Sequence, residues 1–173
     1  MAKEALLIID MLNDFTLPGA PLEVPDNRKI ISFIRREIGR AREEDKAVIY
    51  ICDDHDPDDR EFERFGWPPH AVTGTKGAEV VREIAPLPED IVIKKKTYSG
   101  FYNTKLKETL DRLGVDGVRF TGCLTHMCIL FISYETVLLG YKTSVVSDAV
   151  ADVSPELHDA SFKIMRDVGV AIL

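Results

Sequence analysis

Short unbroken apolar runs alternate with segments of helical spacing along the whole chain. Ala5-Leu6-Leu7-Ile8-Ile9 reads as a strand buried on both faces, because its apolar residues do not alternate with polar ones. Lys29 to Glu43 follows with Ile30, Ile31, Phe33, Ile34 and Ile38 at near-helical intervals. Further strands are predicted at Ala47 to Ile51, Ile91 to Ile93, Gly117 to Thr121, Thr143 to Val146 and Val170 to Leu173. The helices between them are predicted at Gly77 to Ile84, Asn103 to Leu113, Thr125 to Leu139 and Pro155 to Asp167. Gly140 is placed to cap the helix before it, and Ser154 with Pro155 forms a helix start.

Strand and helix in strict alternation imply a parallel sheet covered on both faces. The expected fold is α/β, three-layered and Rossmann-like, with a six-stranded, mostly parallel sheet flanked by helices. Residues 1–173 carry no linker and no internal repeat, which suggests a single domain. The longest irregular stretch, Asp53 to Lys76, is rich in Asp, Pro and Gly; a loop of that length inside a compact domain is usually functional.

Composition narrows the function. A net charge of −7 and a single basic run, Lys94-Lys95-Lys96, argue against nucleic acid as a partner. No apolar stretch is long enough to span a bilayer, and the N-terminus lacks the marks of a signal peptide, so no membrane partner and a cytoplasmic location are expected. The 3 cysteines form neither a disulfide framework nor a Cys-rich zinc site.

In open α/β sheets the ligand sits beyond the carboxyl ends of the strands. Just past the predicted strands lie Asp10, then Cys52-Asp53-Asp54-His55, then Lys94-Lys95-Lys96, then Gly122 to Cys128. A carboxylate, an Asp/His pair, a lysine and a cysteine therefore converge on one edge. Cys128 falls in the first turn of a helix, where the dipole favours a thiolate; a packed, inert cysteine is the competing reading. Asp10 fits a proton acceptor for the thiol and equally a cap. A lysine beside both would hold Asp10 ionised and favour the thiolate. Cys52 and Cys123, each against an apolar strand, suit packing. Asp53 and His55 lie two residues apart in an extended segment and face the same way, and His70 returns from the loop. Two imidazoles and a carboxylate suit a divalent metal, Zn²⁺, Mn²⁺ or Fe²⁺. His158, on a predicted surface helix, is given no role.

The chain resembles the isochorismatase-like cysteine hydrolases, and among them the nicotinamidase-related branch. The matching stretches are Ile8 to Phe15, Asp53-Asp54-His55 with Trp67-Pro68-Pro69-His70 and Gly74 to Glu79, Lys95 to Phe101 before Asn103-Thr104, Gly122 to Cys128, and Ser147 to Val150. The resemblance implies Cys128 as nucleophile, Asp10 as general base and acid, and Lys95 as the bridging cation, with Lys94 as the fallback. It implies a cis peptide at Cys123–Leu124 and an oxyanion hole from the backbone N–H groups of Leu124 and Cys128. Asp53, His55 and His70 take the positions of its metal ligands, usually for zinc. Phe15, Trp67, Tyr98 and His126 become substrate-binding candidates; for His126 a solvent-facing position is the equal alternative.

The implied reaction is hydrolysis of a small amide, nicotinamide first, with a carbamoyl or ureido compound as the sibling reading. No organic cofactor is expected. Homo-oligomers, dimers or tetramers, are expected by the same resemblance. A non-haem iron oxygenase or a catalytically silent binding protein are the readings from other classes. Leu12, Asp54 and Ala71 depart from the branch, which often has glutamine, tryptophan and cysteine there.

Overall fold

The computed structural model describes residues 3–173. Strands β1 (Glu4–Ile9), β2 (Ala47–Asp53), β3 (Ile91–Lys95), β4 (Gly117–Cys123), β5 (Lys142–Ala151) and β6 (Ala171–Ile172) form one sheet in the order β3-β2-β1-β4-β5-β6. Every neighbouring pair is parallel. The strand order reverses between β1 and β4, which opens a crevice at their carboxyl ends.

The unbroken apolar runs are explained by two cores. Alternate residues of β1 feed opposite faces. Leu6 and Ile8 pack with Ile30, Ile34 and Ile38 of α2 (Asn27–Glu43), while Leu7 and Ile9 pack on the other face. That second face is covered by α4 (Leu106–Leu113), α5 (Leu130–Leu138) and α6 (Pro155–Asp167), through Leu106, Leu110, Ile132, Phe162 and Met165. Two short helices, α1 (Asn13–Thr16) and α3 (Arg60–Phe65), lie in the connections near the crevice. Among the described residues no helix is long and apolar enough to cross a membrane.

Strands β2, β3 and β4 each run two residues past the predicted end, and larger departures occur elsewhere. Gly77 to Ile84 is not a helix but two isolated 3₁₀ turns, Lys76–Ala78 and Arg82–Ile84. Between them the chain pairs with the segment after β1: the Asn13 N–H donates to Glu79 O (2.9 Å) and the Val81 N–H to Met11 O (3.0 Å). Those bonds engage groups that a helix would need. The expected helix from Thr125 splits into a wide π turn, Thr125–Ile129, and α5 proper. β5 runs on past Val146 through Ser147 and Asp148, because a bulge against β4 absorbs the polar residues. α4 begins at Leu106, after Asn103 has turned the chain with φ 54°. The caps are as expected in kind: Ser154 Oγ accepts from the Leu157 N–H (3.3 Å), and Gly140 follows α5 with φ 86°.

Gly122 marks the crevice. Its φ is 111°, and a Cβ there would lie 2.0 Å from the Ile9 carbonyl oxygen. Only glycine lets β4 run that close to β1. Gly122→Ala is therefore expected to lower unfolding stability by at least about 3 kcal/mol. Gly39→Ala, within α2 and with open space around it, should raise it by about 0.5–1 kcal/mol. Denaturant melts of both variants check the pair; equal effects would show that the close approach is not limiting.

Candidate active site

β1, β2, β3 and β4 each deliver a reactive residue to the crevice. Asp10 follows β1 in the left-handed region, φ 51°, with its N–H donating to Ile51 O (2.9 Å). That conformation is strained for a residue with a side chain, although Asp tolerates it better than most. It buries the carboxylate beside the end of β2, where the Asp53 N–H donates to Asp10 Oδ1 (2.8 Å). Lys95 ends β3 and is 2 % exposed. Its Nζ lies 2.8 Å from Asp10 Oδ2 and 3.4 Å from Cys128 Sγ, and it pairs closely with Asp53 Oδ1. Strand alternation turns Lys94 and Lys96 outward to the surface, where they pair with Asp54 and Asp56. Of the lysine run, only Lys95 stands beside Asp10 and Cys128.

Burial sets the proton balance. It pushes the Asp10 carboxyl up to about 6, helped by the Asp53 carboxylate and opposed by Lys95. Burial also pushes the Cys128 thiol well above its ordinary value, with Lys95 pulling the other way. The thiolate expected from a helix terminus is thus corrected: in the resting site desolvation outweighs the favourable charges, and the sulfur keeps its proton. Burial raises Asp53 too, but Lys95 and His55 outweigh it and hold the carboxyl low. Burial disfavours the Lys95 ammonium, yet the Asp10 and Asp53 carboxylates keep it charged. Asp10 Oδ2 receives no well-aligned hydrogen bond, which leaves a lone pair open. Cys52 and Cys123 are buried against the sheet with raised thiols, Cys52 to about 12.

The peptide between Cys123 and Leu124 is cis. Leu124 and Cys128 both line a cavity of about 300 Å³. Phe15, Trp67, Tyr98 and His126 line it as well, so each substrate-binding candidate faces the same space. Tyr98 stacks on Phe131 and meets Trp67 edge-on, which continues the apolar wall.

Asp53, His55 and His70 are buried, and one ligand atom from each lies within 4.8 Å of the others. Their outer contacts suit a metal. The Nδ1–H of His55 donates to Asp59 (3.0 Å) and that of His70 to the Pro68 carbonyl (2.9 Å), which directs both Nε2 atoms inward. His55 Nε2 is buried without a partner. A buried ring nitrogen without a partner beside a carboxylate is a position from which a neutral imidazole would ligate a divalent ion, the ion displacing the proton. Asp53 therefore serves two groups, Lys95 through Oδ1 and the imidazole cluster through Oδ2.

Several residues escaped sequence reasoning. Asp59 caps α3 by accepting from the Glu61 N–H (2.9 Å) while holding His55; its cap position was a readable signal. Glu61 lines the cavity, its carboxyl raised by burial near His55 and Asp53. Phe62 packs 5.4 Å from His55 and 5.1 Å from His70, and Phe15 lies 5.6 Å from His70. These rings give the cluster aromatic walls, while Asp54 turns away to Lys94 and Thr73. His158 is not a plain surface residue: its Nδ1 lies 2.9 Å from Thr125 Oγ1, at the start of the turn that carries Cys128. Asp152 holds His126.

A "probable inactive nicotinamidase" of Arabidopsis thaliana is 33% identical over 96% of this chain and 89% of its own length. Among solved structures, the pyrazinamidase of Pyrococcus horikoshii in complex with zinc is 31% identical, with a TM-score of 0.92 over 99% of this chain and 98% of that one. The N-carbamoylsarcosine amidase of Thermoplasma acidophilum is 33% identical, with a TM-score of 0.87 over 98% of this chain and 95% of that one. The model of the isochorismatase domain matches residues 4–173, and the chain belongs to the isochorismatase family.

Proposed function

We propose that this protein is a thiol amidohydrolase of small amides, with nicotinamide as the first substrate to test. The observation that carries the reading is the buried Lys95 ammonium in contact with Asp10 and Cys128, two residues that line the cavity. As the thiol attacks the amide carbon, its proton passes to Asp10 and a C–S bond forms. Lys95 supports the developing sulfur charge. The N–H groups of Leu124 and Cys128 receive the oxyanion, an interaction worth about 3–4 kcal/mol per donor. Asp10 returns the proton to the amine, the C–N bond breaks and ammonia leaves. Water then gives a proton to Asp10 and attacks the thioester. The C–S bond breaks, the acid departs and Cys128 regains its proton.

Asp53, His55 and His70 would hold a divalent ion, and zinc is the first choice because the Pyrococcus relative was solved with it. Such an ion supplies a Lewis-acidic anchor for a substrate heteroatom. The Thermoplasma relative, an N-carbamoylsarcosine amidase, favours the ureido reading as the alternative substrate class. An oxygenase reading would leave the contact of Lys95 with Cys128 without a purpose.

Ammonia release from nicotinamide in zinc-replete buffer is expected for the wild type and should fall roughly 10⁴-fold in Cys128→Ala. Turnover that survives in the variant would sink the thiol mechanism. Turnover of a ureido compound but not nicotinamide would select the alternative.

The pH profile has a defined sign. Asp10 must be ionised to accept the thiol proton, and its folded value is about 6. kcat/KM should be level near neutrality and fall about tenfold per pH unit below about 6. An acid limb well below that position would show that another group is the base.

Removing a ligand separates metal from chemistry. His70→Ala should bind substoichiometric zinc by elemental analysis and raise KM more than it lowers kcat, because the Asp10–Lys95–Cys128 contacts do not include His70. Full metal content in the variant would dismiss the ligand assignment.

A further inference from the structure

The cavity has a second polar end. Asp53 ends β2, while His126 follows β4 and Asp152 follows β5. In the sheet order β2-β1-β4-β5 the Asp10–Cys128 centre separates them. His126 therefore stands about two strand spacings, roughly 10 Å, from the imidazole cluster.

His126 is held in place. Its backbone N–H donates to Asp152 Oδ2 (2.8 Å), and its Nδ1 lies 2.8 Å from both oxygens of the same carboxylate. The Asp152 side chain is 2 % exposed and also accepts from the N–H groups of Val153 (2.7 Å) and Ser154 (3.2 Å). A carboxylate so anchored fixes the imidazole rotamer and requires the proton on Nδ1. The other nitrogen, Nε2, is left for a ligand. Among the residues lining the cavity, only the imidazoles of His70 and His126 can take a positive charge, and His70 belongs to the metal cluster. An imidazole between Asp152 and an anionic oxygen would have both nitrogens donating, each to a carboxylate.

We propose that His126, positioned by Asp152, is a specificity-determining residue that binds a carboxylate carried by the amide substrate, at the end of the cavity opposite Asp53, His55 and His70. The inference rests on the amidohydrolase reading and deepens it: the substrate class becomes amides that also bear an acid group.

The test uses Cys128→Ala protein, which binds without hydrolysing, and compares succinamate with butyramide, a neutral amide of similar length, by calorimetric titration. The parent should prefer succinamate by at least about tenfold in Kd. Adding His126→Ala should bring that ratio close to one. His126→Gln, which keeps a donor near the Nε2 position, should restore part of it, and Asp152→Asn should give an intermediate ratio. Thermal melts confirm that each variant is folded. A parent ratio near one, no binding of succinamate up to ~10 mM, or a preference that survives His126→Ala overturns the proposal. Preference in these titrations without ammonia release by the wild type from either amide, from nicotinamide or from a ureido compound would leave the carboxylate site standing and remove the hydrolytic reading.

Discussion

An ammonium group with almost no water around it must be surrounded by negative charge, and the Lys95 Nζ meets that condition with the carboxylates of Asp10 and Asp53, while the Cys128 sulfur accepts a further hydrogen bond. Taking a cation and two carboxylates out of solvent costs several kcal/mol per ion, and their mutual attraction returns it only when the geometry is close. Removing one member leaves the others uncompensated. The cluster therefore ties together the ends of β1, β2 and β3 and the turn after β4. The same burial that makes it costly raises Asp10 to about 6 and pushes the Cys128 thiol up.

The sheet supplies the rigidity this demands. Both faces of β1 are packed, so its end is fixed, and the strained backbone of Asp10 is borne by an element with no freedom to relax. Gly122 brings β4 against β1 at the reversal of strand order, and the turn carrying Cys128 follows at once. Asp53 then couples the two halves of the site. One oxygen serves Lys95 and the other faces His55, so changes at the imidazole cluster reach the lysine through a single carboxylate.

The family match accounts for the hydrolytic frame, and the cavity wall decides what enters it. Phe15, Trp67 and Tyr98 give an apolar lining, while His126, held by Asp152, adds a polar end that the proposed hydrolysis does not itself require. Within a family that includes a probable inactive nicotinamidase in Arabidopsis thaliana, the contacts among Asp10, Lys95 and Cys128 are the feature on which turnover by this chain depends.

Much of this was legible in the chain itself. The apolar runs determined where the six strands lie and the two-sided burial of the central ones, since a strand covered on both faces has no polar side to alternate with; the edge strands β3 and β6 keep an exposed face despite equally apolar runs. Reactive residues directly after those runs determined which side chains reach the crevice, and strand alternation separates Lys95 from Lys94 and Lys96 once the strand end is known. Other features depended on distant partners. The segment from Gly77 to Ile84 gave up its helix because backbone groups of Met11 and Asn13 met it first. The state of the Cys128 thiol depended on how deeply the turn is buried, which no local pattern reports. The pairing of His126 with Asp152, 26 residues apart, depends on β4 and β5 lying side by side, and the contact of Asp53 with Lys95 on β2 lying beside β3. Periodicity records which faces of each element avoid water; it does not record which charges meet when those elements pack.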